Sequence, residues 1–191
     1  MGAIETSCER KRAVFLDRDG VINENRQDYV KTWDEFVFLP EALVSLSLLA
    51  HSEFLVVVVS NQSAIHRGLV SSAVVEEINR RMLDQVEKIG ARIDGVYYCP
   101  HMPDEACHCR KPLPGLLLKA AEEMQIDLDR SYCVGDKLTD VAAGKAVGCR
   151  NILVLTGEGG KQNVDALNGY VIAKNLRHAV ELILNDIDSA R

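Results

Sequence analysis

The chain lacks any apolar run long enough to cross a bilayer. Its clearest continuous run, Phe54–Val59, has only the length of a strand. It also lacks a basic excess: 28 acidic and 22 basic side chains leave a net charge of −6, spread along the chain. That argues against nucleic acid as the main partner, because such proteins carry a basic face. Internal repeats, low-complexity tracts and Pro/Gly-rich linkers are absent, so the 191 residues read as one domain with room for a sizeable core. Met1–Arg12 is polar and has no apolar signal core. The expectation is a cytoplasmic monomer with no membrane or nucleic-acid partner. In that compartment six cysteines do not suggest a disulfide framework, and clustered ones are expected to bind metal.

What is present alternates. Strands are expected at about 13–17, 54–59, 94–98, 131–134 and 151–155. Helices are expected from about Pro40 to His51, from a Ser71-Ser72 cap to about Ile89, at about 114–125 and 138–147, and from an Asn175 cap to about Leu184. Gly90 and Gly148 close two of them. Between the first strand and Pro40 the chain reads as irregular, and a Cys/His loop follows the third strand. Strands alternating with helices imply βαβ units. The fold class is α/β: a single Rossmann-like domain with a central parallel sheet covered on both faces.

The apolar run Ala13-Val14-Phe15-Leu16 of the first strand leads into Asp17-Arg18-Asp19-Gly20. The carboxyl end of a strand in an open α/β sheet is where ligands bind. Two acids one residue apart repel each other and invite a divalent cation, and Gly20 lets the chain turn sharply after them. Three more polar clusters sit at element ends: Ser60-Asn61-Gln62, Arg110-Lys111-Pro112, and Gly135-Asp136-Lys137 with Asp140. Together they supply acids for a metal, a hydroxyl and an amide for an anion, and a lysine for a negative charge. Phosphoryl chemistry needs this set.

In order and placement, Asp17-Arg18-Asp19-Gly20-Val21, Ser60-Asn61, Lys111 and Gly135-Asp136 with Asp140 resemble the four motifs of the haloacid-dehalogenase-like phosphatases. The resemblance implies that Asp17 is a nucleophile forming an aspartyl-phosphate. Asp19 becomes a general acid and then base, its pKa raised by the Asp17 charge and partial burial. Mg²⁺ is then expected on Asp17, the Asp19 carbonyl and Asp136. Ser60 and Asn61 are expected to bind phosphoryl oxygens, and Lys111 to neutralise them. Arg18, Gly20, Arg110 and Lys137 are expected beside the substrate, with Asp140 in support. The intervals from Asp19 to Ser60 and from Ser60 to Lys111 are too short for a folded cap domain, so the site is expected to be open.

Cys99-Pro100-His101 and Cys107-His108-Cys109 form Cys-x-His-x5-Cys-x-Cys. Four such donors can close a tetrahedral, structural Zn²⁺ site, with Cys99, His101, Cys107 and Cys109 preferred and His108 the competitor for His101. Cys8 reads as a tail residue, and Cys133 and Cys149 as small core residues. The loop runs directly into Arg110-Lys111. With Asn61-Gln62-Ser63, Ile65 and Arg67-Gly68, it resembles the subgroup of heptose-bisphosphate and histidinol-phosphate phosphatases, departing from it at Ala64 and His66. The heptose reading rests also on cations. Arg110, Lys111, Lys137 and Arg67 suit a second anionic group, whereas an amine-bearing histidinol substrate needs acids such as Glu24 and Asp28. A non-enzymatic zinc-binding module would keep the Cys/His loop without the acid–lysine set. A phospho-receiver would keep the acids and lysine without the loop.

Overall fold

The computed structural model describes residues 10–161 and 169–189. Six strands, β1 (Ala13–Leu16), β2 (Leu55–Asn61), β3 (Gly95–Cys99), β4 (Tyr132–Gly135), β5 (Arg150–Val154) and β6 (Val171–Ala173), form one parallel sheet in the order β3-β2-β1-β4-β5-β6. Among the described residues five α-helices cover it: α1 (Ala42–Ala50), α2 (Ser72–Lys88), α3 (Gly115–Met124), α4 (Leu138–Lys145) and α5 (Leu176–Ser189). This is the expected single α/β domain. Among the described residues no helix is long and apolar enough to cross a membrane.

Successive strand residues point to opposite faces, so β1 splits its side chains between two cores. Val14 and Leu16 join Val56 and Val58, and against them pack Leu46 and Leu49 of α1, Ile78 and Met82 of α2, and Val180 and Ile183 of α5. Ala13 and Phe15 join Val57 and Val59 beneath Leu116, Leu117 and Ala120 of α3 and Ala143 of α4. Val75, Ile78, Met82 and Val86 make the buried stripe of α2 at helical spacing. The expected caps form: Ser71 Oγ accepts from Val74 N at 3.3 Å, and Asn175 Oδ1 from His178 N at 3.0 Å. Gly90 and Gly148 take φ of +73° and +83°.

Four differences from the sequence reading have physical causes. β6 was not expected; it has three residues at the sheet edge, with Val171 53% exposed, too short for a periodic signal. The first helix starts at Ala42 because Glu41 takes a left-handed φ of +63°, which leaves Pro40 outside it. The last helix runs five residues past Leu184, to Ser189. β2 extends through Ser60 and Asn61, so both lie in the strand and not in the turn after it. Cys8 lies outside the described residues.

The chain moves outward from β1 to β2 and β3, then returns to pair β4 against the other side of β1. The order therefore reverses between β1 and β4, where open α/β sheets bind ligands. Asp17 follows β1 and Asp136 follows β4, on either side of that crevice.

Candidate active site

A cavity of about 360 Å³ opens at the switch point. Of the motif residues, Asp17, Asp19, Ser60, Asn61, Arg110, Lys111, Lys137 and Asp140 line it, and Asp136 does not. Asp17 N donates to Val134 O at 3.0 Å, so the β1–β4 ladder sets where the residue leaves the sheet. Lys111 Nζ reaches the site from the segment before α3. It lies 3.0 Å from Asp17 Oδ1 and 2.5 Å from Asp140 Oδ1, and donates to Val59 O at 2.7 Å. All three charged residues are at most 6% exposed.

These groups change each other's ionisation. Burial raises the Asp17 carboxyl, with Lys111 opposing it and Asp140 and Asp19 adding to it. Burial pulls the Lys111 ammonium down, and the charges of Asp140 and Asp17 more than reverse that. Asp136 is pushed up to about 7, chiefly by burial and then by the Asp17 charge. Its Oδ2 accepts from Glu158 N at 2.8 Å, while Oδ1 has no hydrogen-bond partner. Asp17 Oδ1 meets Lys111 as an ion pair without hydrogen-bond geometry. Two buried carboxylate oxygens left without hydrogen bonds fit a divalent cation, and the oxygens of Asp17, Asp136 and Asp140 lie within 4.8 Å of one another. Gly20 (φ +97°) and Gly157 (φ +57°) pack over Asp136; a Cβ on either would overlap its carboxylate.

Three expectations need correction. Arg18 does not line the cavity. It is 1% exposed and points inward, its fork donating to Asp19, Asn79 Oδ1 at 2.9 Å and Gln62 Oε1 at 3.2 Å. Gly20 is absent from the cavity wall as well, acting through its fit against Asp136. The Asp19 pKa is lowered, not raised. Burial pushes it up, but the Arg18 charge and hydrogen bonds from Asn23, Arg18 and Gln62 outweigh that. Asn61 lines the cavity, yet its side-chain amide is occupied: Oδ1 accepts from Lys111 N at 3.1 Å and Nδ2 donates to Lys111 O at 3.0 Å.

Several site residues had no prediction. Gln62 Nε2 donates to Asp19 Oδ2 at 2.7 Å and to Ser60 Oγ at 2.9 Å, joining two motifs. Arg26, Tyr29 and Glu158 line the cavity, whereas Arg67, Glu24 and Asp28 do not. Asp28 is exposed and held by Lys31 Nζ at 2.6 Å and by Arg26. The glycine-rich stretch Thr156-Gly157-Glu158-Gly159-Gly160 after β5 was the available signal for Glu158.

Beside the cavity, the structure gathers Cys99, His101, Cys107 and Cys109, whose donor atoms lie within 4.8 Å of one another; His108 is not among them. Cys99 Sγ is 3.3 Å from His101 Nδ1, 3.8 Å from Cys107 Sγ and 3.0 Å from Cys109 Sγ. The thiols are free. A zinc tetrahedron with Zn–S near 2.3 Å has S···S edges of about 3.8 Å; the Cys99–Cys107 distance matches that edge and the Cys99–Cys109 distance is shorter, while three thiols and an imidazole are the donor types such a site uses. Arg110, next in the chain, donates from its guanidinium to His101 O at 3.0 Å. His66 packs edge-on against the His101 ring, centroids 4.9 Å apart, and pairs with Glu105 at 2.8 Å.

A family model described as HAD-hydrolase-like matches residues 108–179. A D-glycero-β-D-manno-heptose-1,7-bisphosphate 7-phosphatase of Pseudomonas aeruginosa is 41% identical over 76% of this chain and 82% of its own length. A phosphatase of the same name from Helicobacter pylori is 36% identical over 90% of this chain and 97% of its length. The crystal structure of the D,D-heptose 1,7-bisphosphate phosphatase from B. bronchiseptica, complexed with magnesium and phosphate, superposes with a TM-score of 0.85 at 35% identity, covering 92% of this chain and 99% of that one. Neither a zinc-binding module nor a phospho-receiver accounts for this likeness. The chain belongs to the haloacid-dehalogenase-like hydrolases, in the family of the heptose-1,7-bisphosphate 7-phosphatases, and is a phosphoric monoester hydrolase.

Proposed function

We propose that the protein removes the C7 phosphate of D-glycero-D-manno-heptose 1,7-bisphosphate and leaves the 1-phosphate. The observation that carries this substrate is a set of cations beyond Lys111: Arg26, Arg110 and Lys137 line the cavity alongside its acids, in a chain that is acidic overall. One lysine suffices at the reacting phosphate. The further cations suit a second anionic group, whose binding energy orients the sugar. The names of the relatives support the same substrate. For histidinol phosphate, the runner-up, the expected acids Glu24 and Asp28 lie off the cavity, and the Glu158 carboxylate that lines it is engaged by Asn25 and Lys161.

In this reading a carboxylate oxygen of Asp17 attacks phosphorus, and the C7 oxygen leaves as the P–O bond breaks. Lys111 balances charge on the phosphoryl oxygens while anchored by Asp140 and by the Asn61 clamp on its backbone. Asp19 begins as a carboxylate held by Arg18, Asn23 and Gln62. The incoming phosphate adds negative charge beside it and raises its proton affinity, so it can carry a proton to the leaving oxygen. It then takes a proton from the water that opens the aspartyl-phosphate. Asp17, Asp136 and the Asp19 carbonyl would hold Mg²⁺, which when bound would supply the charge neutralisation that lets an anionic nucleophile approach an anionic phosphate.

The Cys99–His101–Cys107–Cys109 cluster is read as a structural zinc site that stiffens the approach to Arg110 and Lys111. The setting proposed is a cytoplasmic monomer in nucleotide-heptose or lipopolysaccharide biosynthesis. A panel of both heptose-bisphosphate anomers and histidinol phosphate tests the reading. kcat/KM should favour a heptose bisphosphate, and Arg110→Ala should weaken that preference more than it slows a generic ester. A clear preference for histidinol phosphate overturns the substrate.

A further inference from the structure

A cavity without a cap domain needs another means of closing over its substrate. The flap that leaves β1 has an outer part fixed by aromatic packing: Trp33 stacks on Phe36 and Phe36 meets Phe38 edge-on, both with centroids 5.1 Å apart. The stretch from Asn25 to Tyr29, which carries the cavity-lining residues Asn25, Arg26, Gln27 and Tyr29, is tethered differently. On one side the Tyr29 hydroxyl lies 3.5 Å from Ser63 Oγ. On the other, Asn25 Nδ2 donates to Glu158 Oε1 at 2.9 Å.

Glu158 lies at the outer end of a seam between the flap and the loop after β5. At the inner end, Thr156 Oγ1 donates to Gly20 O at 2.6 Å, and Gly157 packs so close that a Cβ on it would fall 2.7 Å from Gly20 Cα. These are tight contacts at the root of the flap. The outermost one joins two polar side chains, and Lys161 Nζ, 2.8 Å from the same Glu158 oxygen, helps hold that carboxylate in place. The Glu158 backbone N–H also holds Asp136 Oδ2 at 2.8 Å. One residue therefore touches both the flap and a carboxylate of the proposed metal site.

We propose that the Asn25–Glu158 bond is a latch that holds the flap across the cavity mouth, and that Glu158 is a positioning residue linking flap closure to Asp136. The latch acts on the sugar end of the substrate, and in that respect rests on the phosphatase reading above. Its chemistry is a carboxylate–amide pair, so reversing the pair preserves it. Asn25→Asp sets two carboxylates against each other. Glu158→Gln in the same chain restores an amide donor and a carboxylate acceptor with roles exchanged.

The test has two arms on the full chain. In substrate-free protein, Asn25→Asp should speed hydrogen exchange of the amides over 21–30 by about tenfold, the scale expected for losing a hydrogen bond to a charged group at a partly exposed site. The reversed pair should return exchange to within about threefold of the parent. With heptose bisphosphate, Asn25→Asp should raise KM by about tenfold with a smaller change in kcat, and the reversed pair should recover most of it. Should Asn25→Asp fail to fold, Asn25→Ala removes the donor without adding charge and is read by the same exchange arm. A reversed pair no better than the two single changes combined, or unaltered exchange on losing the donor, overturns the latch. Failure of the parent to turn over heptose bisphosphate overturns the substrate reading alone, because the exchange arm needs no substrate.

Discussion

Replacing Lys111 with Met removes the cation that lies between two buried acids. Its ammonium is 3.0 Å from Asp17 Oδ1 and 2.5 Å from Asp140 Oδ1, in a residue 3% exposed. Breaking a buried charge pair from one side costs about 3–5 kcal/mol, because the partner remains buried and uncompensated. At about 2–4 °C per kcal/mol for a domain of this size, the thermal midpoint should fall by roughly 6–20 °C. Activity should fall further than stability explains, by about 10²–10³-fold in kcat, as when a preorganised charge is removed from a transition state. Adding Asp140→Asn removes one of the stranded charges. The double variant should regain most of the lost midpoint and none of the lost kcat. Differential scanning calorimetry and steady-state kinetics on the same samples measure both. A single variant within about 2 °C and tenfold of the parent, or a double variant that regains kcat, refutes the assigned roles of this triad.

Asp17→Asn should abolish turnover with the fold intact by circular dichroism, and Asp19→Asn should lose about 10²–10⁴-fold; near-normal turnover in Asp17→Asn ends the covalent reading. Elemental analysis should find one zinc per chain. Chelation should lower the thermal midpoint and expose Cys99, Cys107 and Cys109 to thiol reagents; metal-free protein with those thiols already reactive would refute the closed site. Mg²⁺ should stabilise the protein more at pH 8 than at pH 5. The Asp136 carboxyl is raised to about 7 from 3.8, so the metal-free fold holds a proton that the unfolded chain has released, and its stability falls as pH rises across that interval. Bound Mg²⁺ takes the place of that proton. Equal Mg²⁺-induced midpoint shifts at the two pH values would contradict this.

The parts of the site that the sequence made legible are those set by strand ends. Asp17, Lys111 and Asp136 could be assigned because an apolar run or a helix start fixes where each begins, and the parallel sheet brings those ends together. What stayed hidden depends on side-chain direction and on loops that meet only in three dimensions. Arg18 sits between two cavity acids yet turns inward, because Asp19, Gln62 and Asn79 offer its fork partners and the Phe36 ring lies 5.9 Å from its guanidinium. The residue type of Asn61 suits a phosphate ligand; its amide instead pairs with the backbone N–H and C=O of buried Lys111, fifty residues away in sequence. Arg26 lines the cavity and Arg67 does not, although the loop after β2 reaches it through Gln62 and Ser63. The lowered Asp19 pKa follows from the same neighbours, none of which is next to it in sequence except Arg18.

In the proposed mechanism Asp17 attacks one particular phosphate of a sugar bisphosphate. Phosphorus NMR of heptose 1,7-bisphosphate incubated with the protein and Mg²⁺ tests it directly. The C7 monoester resonance should disappear as inorganic phosphate grows, the C1 resonance should persist, and Asp17→Asn should leave both unchanged. Loss of the C1 phosphate first, or turnover that survives Asp17→Asn, would rule this chemistry out.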